Sequence, residues 1–159
     1  MSAAPVGLLR RVALPFDKIP SKEALEADAT QPGHIGKNAK IQLAKIAKLG
    51  ALPPALDYPV QTWRFGDDLV IVFLAGEVVV DYAIRLKEEY DPNRIWIVAY
   101  SNDAPCYIPS ERILREGGYE AEGAMLYYAW PSRLKPGVED LIVRTVESMI
   151  PDGFKKKIE

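Results

Sequence analysis

The sequence predicts an α/β fold: a mixed sheet with a hairpin and a right-handed βαβ unit, flanked by helices. Three observations carry that expectation. Residues 60–65 (VQTWRF) alternate apolar and polar in the period of a half-buried strand. Gly66-Asp67-Asp68 turns them back into residues 69–74 (LVIVFL), a continuous apolar run that reads as a strand buried on both faces. A helical pattern over 77–90 follows, with Val79, Val80, Ala83, Ile84 and Leu86 on its apolar side and Asp91-Pro92-Asn93 at its end. Residues 95–100 (IWIVAY) form the next buried strand, which completes a strand, helix, strand unit whose crossover is right-handed by the general rule for parallel connections.

The other elements follow from local signals. Residues 8–14 read as a short strand ended by Pro15, and Ser21 is the N-cap of a short helix. A longer helix over 35–49 sets Ile35, Ala39, Leu43, Ile46 and Ala47 on one face, and Gly50 stops it. Beyond the second strand come a loop over 101–110, a short helix opened by Ser110 and a Gly117-Gly118 break. An aromatic-rich extended segment over 125–130 follows, then a helix over 137–150 with Val138, Leu141, Ile142, Thr145 and Val146 toward the core. Residues 1–150 are expected to form a single α/β domain, with 151–159 a polar, basic tail.

Composition narrows the function classes. A chain of 159 residues buries roughly 68–70% of its unfolded surface, enough for one core. The net charge of −2 and pI near 5.6 lack the basic footprint of a nucleic-acid binder. No apolar run approaches the roughly 20 residues of a membrane-spanning helix, and the two arginines at 10–11 interrupt any secretory hydrophobic segment near the start. Compartment is left open. One cysteine excludes an internal disulfide framework, and one histidine with one cysteine is too few for a complete zinc site of the usual kind.

Candidate chemistry lies where the two apolar strands end. Gly76-Glu77 follows the first and the Tyr100–Ser110 stretch, containing Tyr107, follows the second, so a βαβ topology sends both to the carboxyl edge of one sheet, where α/β proteins bind ligands. Each residue also has a plainer reading. Glu77 at a strand-to-helix junction complements the helix dipole, and Tyr107 is a loop aromatic with its hydroxyl in water. Tyr119 plugs a helix stop, His34 faces solvent beside a helix start, and Cys106 is a buried, idle thiol. Neither a Walker loop, nor Gly-x-Gly-x-x-Gly, nor a Gly-x-Ser-x-Gly elbow is present.

The motifs Gly76-Glu77-Val78-Val79-Val80-Asp81-Tyr82, Asn102 with Tyr107-Ile108-Pro109-Ser110, and Glu116-Gly117-Gly118-Tyr119-Glu120 together resemble the neutral/alkaline ceramidase family, in the C-terminal part of its catalytic domain and in its bacterial members. The resemblance covers residues 58–150 and implies a zinc-dependent amidohydrolase that cleaves the N-acyl bond of ceramide-like lipids. Glu77 and Tyr107 match the family's glutamate and tyrosine zinc ligands, and Tyr119 matches the tyrosine that steadies the oxyanion. The family's two histidine ligands have no counterpart here. The resemblance therefore implies a portion of a longer enzyme, inactive alone, whose partners are the N-terminal part of the catalytic domain or a second copy. The alternative is a stand-alone, non-catalytic binding module on the same fold.

Overall fold

The computed structural model describes residues 4–156. Strand β1 (Val6–Pro15) pairs antiparallel with β2 (Ala55–Phe65), which pairs antiparallel with β3 (Leu69–Leu74). The chain then passes through a two-residue strand β4 (Glu77–Val78) and helix α3 (Asp81–Glu89) into β5 (Ile95–Val98), which lies parallel to β3. The main sheet thus runs β1-β2-β3-β5, with antiparallel and parallel neighbours in one sheet. This is the mixed α/β architecture the sequence implies, including the hairpin and the parallel βαβ pairing. Helices α1 (Lys22–Asp28) and α2 (Gly33–Leu49) fill the β1–β2 connection, and α4 (Glu111–Glu116) and α5 (Val138–Glu147) follow β5.

Local chemistry explains several boundaries. Ser21 accepts the Ala24 amide and starts α1, Gly50 ends α2, and Ser110 accepts the Ile113 amide to start α4. Strand β1 is longer than the 8–14 segment because the whole of Val6–Pro15 finds partners along β2.

Several expectations need correction. Residues 77–80 are not helical: the Glu77 and Val79 amides donate to the Cys106 and Ile108 carbonyls, so the chain pairs as β4 first and α3 begins only at Asp81. That rotates the helix, and Tyr82 and Leu86 are buried while Val80 and Ile84 are exposed. The segment 125–130 is not extended, since Gly123–Leu126 forms a 3-10 turn whose 4→1 and 5→1 bonds continue to Ala129, and the Trp130 amide closes a wider loop onto the Met125 carbonyl. On α2 the expected Ala39 is buried and Leu43 and Ile46 are half-buried against Leu25 and Leu52, but Ile35 and Ala47 are exposed, and Gly36, Asn38 and Gln42 join the buried side, where Asn38 and Gln42 donate to the Trp130 and Ala129 carbonyls. The 151–156 stretch is also less free than a tail: Phe154 is buried and Lys155 bridges to Tyr90, although residues 157–159 lie outside the described range.

Sheet strands β3 and β5 are buried on one face only. Val70, Val72, Leu74 and Ile95 point into the core, where α5 supplies Val138, Ile142, Val143 and Val146. The periodicity of α5 is therefore 138, 142, 143, 146, with Leu141 turned to solvent. Gly76 and Glu77 follow directly from the end of β3.

Candidate functional site

The site begins at Gly76, directly beyond β3. Its φ of +81° is a left-handed conformation, and a Cβ built there would stand 2.4 Å from the Cys106 carbonyl oxygen. This close approach lets the Gly76 amide donate to Asp103 and the Glu77 amide donate to Cys106. Strands β4 and β6 (Tyr107–Ile108) therefore lie side by side in parallel, with Glu77 and Tyr107 as register partners. Two buried tyrosines hold the frame from below. Tyr58 donates to the Ala75 carbonyl at 2.8 Å and Tyr82 donates to the Pro109 carbonyl at 3.0 Å.

A second brace fixes the two helices that leave the site. The Ser110 hydroxyl donates to Asp81 while accepting the Ile113 amide, and Arg112 donates to both oxygens of Asp81. The N-termini of α3 and α4 are thereby tied together, and the segments carrying Glu77 and Tyr107 cannot move independently. Arg112 beside Asp81, with Ser110, holds that carboxyl below the usual range.

Around Glu77 the structure assembles phenols. Tyr128 donates to Oε1 and Tyr100 donates to Oε2 at 2.8 Å, while the Tyr107 phenol lies beside the same carboxylate. Donation from Tyr128 is the main reason the Glu77 carboxyl is held below its ordinary value, with Tyr107 next and Tyr100 weaker. The carboxylate in turn pushes Tyr107 up to about 12 and raises Tyr100 and Tyr128. The Tyr119 ring meets Tyr107 edge-on at 5.7 Å between centroids, Tyr127 stands 6.2 Å from Tyr119, and His34 stacks on Tyr127 at 4.5 Å.

The three site residues read from the sequence, Glu77, Tyr107 and Tyr119, thus come together in one exposed cluster. His34 is brought to the edge of that cluster and not to Glu77, with Tyr127 and Tyr119 between. Cys106 is buried, and desolvation pushes its thiol up to about 12, so it contributes backbone rather than nucleophile. Tyr100 and Tyr128 are the site residues that sequence reasoning missed. The available signal was density, because five of the eight tyrosines lie between positions 100 and 128. Their backbone is also unusual: Tyr100 and Ala129, next to Tyr128, are non-glycine residues at φ +54° and +55°. Such conformations cost of order 1–3 kcal/mol and persist only where the surroundings impose them. At Ala129 the carbonyl is gripped by Gln42 at 2.9 Å and Lys45 at 2.6 Å. At Tyr100 the amide donates to the Gly76 carbonyl at 3.0 Å.

As a donor set, Glu77 and Tyr107 offer one carboxylate and one phenol, both suited to a hard or borderline divalent cation. Among the described residues no group of three or more His, Cys, Asp or Glu side chains stands close enough to hold a metal ion. A catalytic zinc takes at least three protein ligands, so these two residues fit part of such a site and not the whole. Among the described residues no helix is long and apolar enough to cross a membrane. Comparison with protein-family models, with curated proteins and with solved structures finds no match to this chain.

Proposed function

We propose that this chain carries one half of a zinc amidohydrolase site of the neutral ceramidase kind, acting on the N-acyl bond of ceramide-like lipids, with the remaining ligands supplied from outside these residues. The observation that supports it is the pairing of Glu77 with Tyr107 across β4 and β6, with Tyr119 against Tyr107. Three residues singled out by separate motifs meet at one sheet edge. Glu77 and Tyr107 would hold the zinc, which supplies polarisation of the amide carbonyl and a water acidic near neutral pH.

The rest of the chemistry belongs to this chain. Glu77 is fixed as an anion by the phenols of Tyr128 and Tyr100, which set the direction of its oxygens. Tyr119 is exposed, and its O–H is free to donate to the amide oxygen as that oxygen gains negative charge. Tyr107 needs its proton removed to act as an anionic ligand, and beside Glu77 alone the proton stays on. The residues are therefore arranged for a cation but do not create it.

A second reading rests on that same saturation of Glu77. With both carboxylate oxygens already accepting phenols, the cluster is complete as a hydrogen-bond network, as a non-catalytic binding module on this fold would have it. Zinc calorimetry together with fluorescent-ceramide hydrolysis separates the two. On the first reading the 159-residue chain binds zinc weakly and turns over nothing, whereas a longer product containing it is active and loses that activity in Glu77→Gln. Tight zinc binding by this chain alone overturns the half-site, and full activity of the Glu77→Gln longer product overturns the role of Glu77.

A further inference from the structure

Among the described residues, no layer covers the face of the main sheet turned away from α5. Strand register places Gly7, Trp63, Ile71 and Trp96 in one cross-strand row of that face and Leu9, Gln61, Phe73 and Val98 in the next. Trp96 is 56% exposed, Leu9 58%, Trp63 40% and Val98 39%. Two of the chain's three tryptophans therefore sit in one row in water. With a fully exposed tryptophan carrying roughly 250 Å², these four side chains leave on the order of 400 Å² of apolar surface uncovered. Contiguous apolar patches of a few hundred Å² mark interaction sites.

We propose that this face is the interface of a symmetric dimer, two copies packed sheet against sheet. Charge is the first argument for a second copy. The ion pair on this face, Arg11 with Asp57 at 2.6 Å, is closed within the chain, so two such faces meet without repulsion and offer nothing to a strongly charged partner. Shape is the second. A twofold axis along the strands, between β2 and β3, sets each copy's β2 over the other's β3 and each β5 over the other's β1. In the first row Trp96 then faces the other copy's Trp63 indole, which lies over Gly7 of its own chain; in the second, Leu9 faces Val98 and Gln61 faces Phe73. Aromatic meets aromatic in one row and aliphatic meets aliphatic at the ends of the next, so the surface pairs with its own copy.

Area is the third argument. The four exposed side chains account for about half of the roughly 800 Å² that each partner of a stable dimer buries. The half-buried Phe65, Leu69, Ile71 and Phe73 lie beside them on the same face. Pairing through the sheet edge is guarded against instead: β1 is an edge strand, and Arg10 and Arg11 at its middle would oppose their own copies in an antiparallel edge pair. The inference stands on the sheet alone and does not rest on the proposed chemistry at Glu77.

Sedimentation velocity on the 159-residue chain over roughly a hundredfold range of concentration tests it. The expected result is a shift from the mass of one chain to that of two, with tryptophan emission moving to the blue and acrylamide quenching falling over the same range. Trp96→Glu should raise the dissociation constant at least about tenfold with far-ultraviolet circular dichroism unchanged, since it replaces a large aromatic contact by a charge that the dimer would bury. Ile84→Glu, on exposed α3 across the core, should leave it unchanged. A single species at one chain's mass throughout overturns the proposal. So does a dimer that survives Trp96→Glu but weakens in Ile84→Glu, or a monomer that transfers its tryptophans to phosphatidylcholine vesicles.

Discussion

Replacing Gly76 by alanine should unfold the site from its root, and the loss can be worked from the backbone. A residue with a Cβ at φ +81° costs roughly 1–2 kcal/mol relative to glycine. The added carbon would also stand 2.4 Å from the Cys106 carbonyl oxygen, a backbone atom that cannot rotate away. Relief requires β4 and β6 to part, which stretches the bonds from Gly76 to Asp103, from Glu77 to Cys106 and from Tyr100 to Gly76. At about 0.5–1.5 kcal/mol each, losing two of the three brings the total to about 2–5 kcal/mol. Gly50→Ala is the matched control, because Gly50 has φ +84° with nothing within 4 Å of an added Cβ, and only the conformational part, about 1–2 kcal/mol, applies. The assay is urea denaturation followed by circular dichroism. With a slope of roughly 2 kcal/mol per molar, Gly76→Ala should lower the midpoint by about 1–2.5 M and Gly50→Ala by about 0.5–1 M. Equal losses in the two variants would refute the claim that the close approach to Cys106 is what requires glycine at 76.

Three further outcomes follow from the same geometry. Tyr128→Phe removes the strongest donor to Glu77, so the Glu77 carboxyl should titrate higher by carbon-detected NMR, at a stability cost of about 1 kcal/mol after allowing for exposure; an unmoved titration would show that Tyr128 does not set that carboxylate. Asp81 is depressed in the folded state by Arg112 and Ser110, so its contribution is present above its unfolded value of about 3.9 and is lost as pH falls through the lower folded value. The melting-temperature gap between wild type and Asp81→Asn should therefore be widest near neutrality and close below about pH 4, and a gap that widens on acidification would reverse the sign of the linkage. Cys106, buried and pushed up to about 12, should resist Ellman's reagent at pH 8 until urea unfolds the chain, and labelling of the native protein at the rate of a free thiol would place that sulfur at the surface.

The parts of the fold legible in the sequence were those where one local signal acts alone. Ser21 and Ser110 as N-caps, Gly50 as a stop and the Gly66-Asp67-Asp68 turn each need only neighbours in the chain, and each is found in its expected role. The apolar runs of β3 and β5 gave the strands but not their burial. Hydrophobicity alone cannot distinguish a strand covered on both sides from one whose second face, with Trp96 and Val98, is left in water. The helical expectation for residues 77–80 failed because Val78, Val79 and Val80 fit either period. A tertiary partner, the 106–108 backbone, claimed their amides before a helix could. On α2, Asn38 and Gln42 joined Ala39 on the buried side while Ile35 was left exposed, for a related reason: the half-buried carbonyls at 129 and 130 needed donors, and unmet acceptors are more costly than a half-exposed Ile35.

The candidate site divides along the same line. Glu77 and Tyr107 could be brought together on paper because they follow two strands of one parallel pair, and topology alone sends such positions to a common edge. Tyr100 and Tyr128 could not, since their approach to Glu77 depends on positive φ angles at Tyr100 and Ala129 that no side-chain pattern announces. These are also the positions where the fold accepts strain, and the compensation is visible: α2 grips the Ala129 carbonyl through Gln42 and Lys45, and the Gly76 carbonyl receives the Tyr100 amide. The buried polar pair on α2, Asn38 and Gln42, and the strained turn that presents Tyr128 are therefore one device. A change on α2 far from the carboxylate, such as Gln42→Leu, acts on Glu77 through Ala129 and the phenol of Tyr128, which binds the helical layer of the fold to the chemistry at the sheet edge.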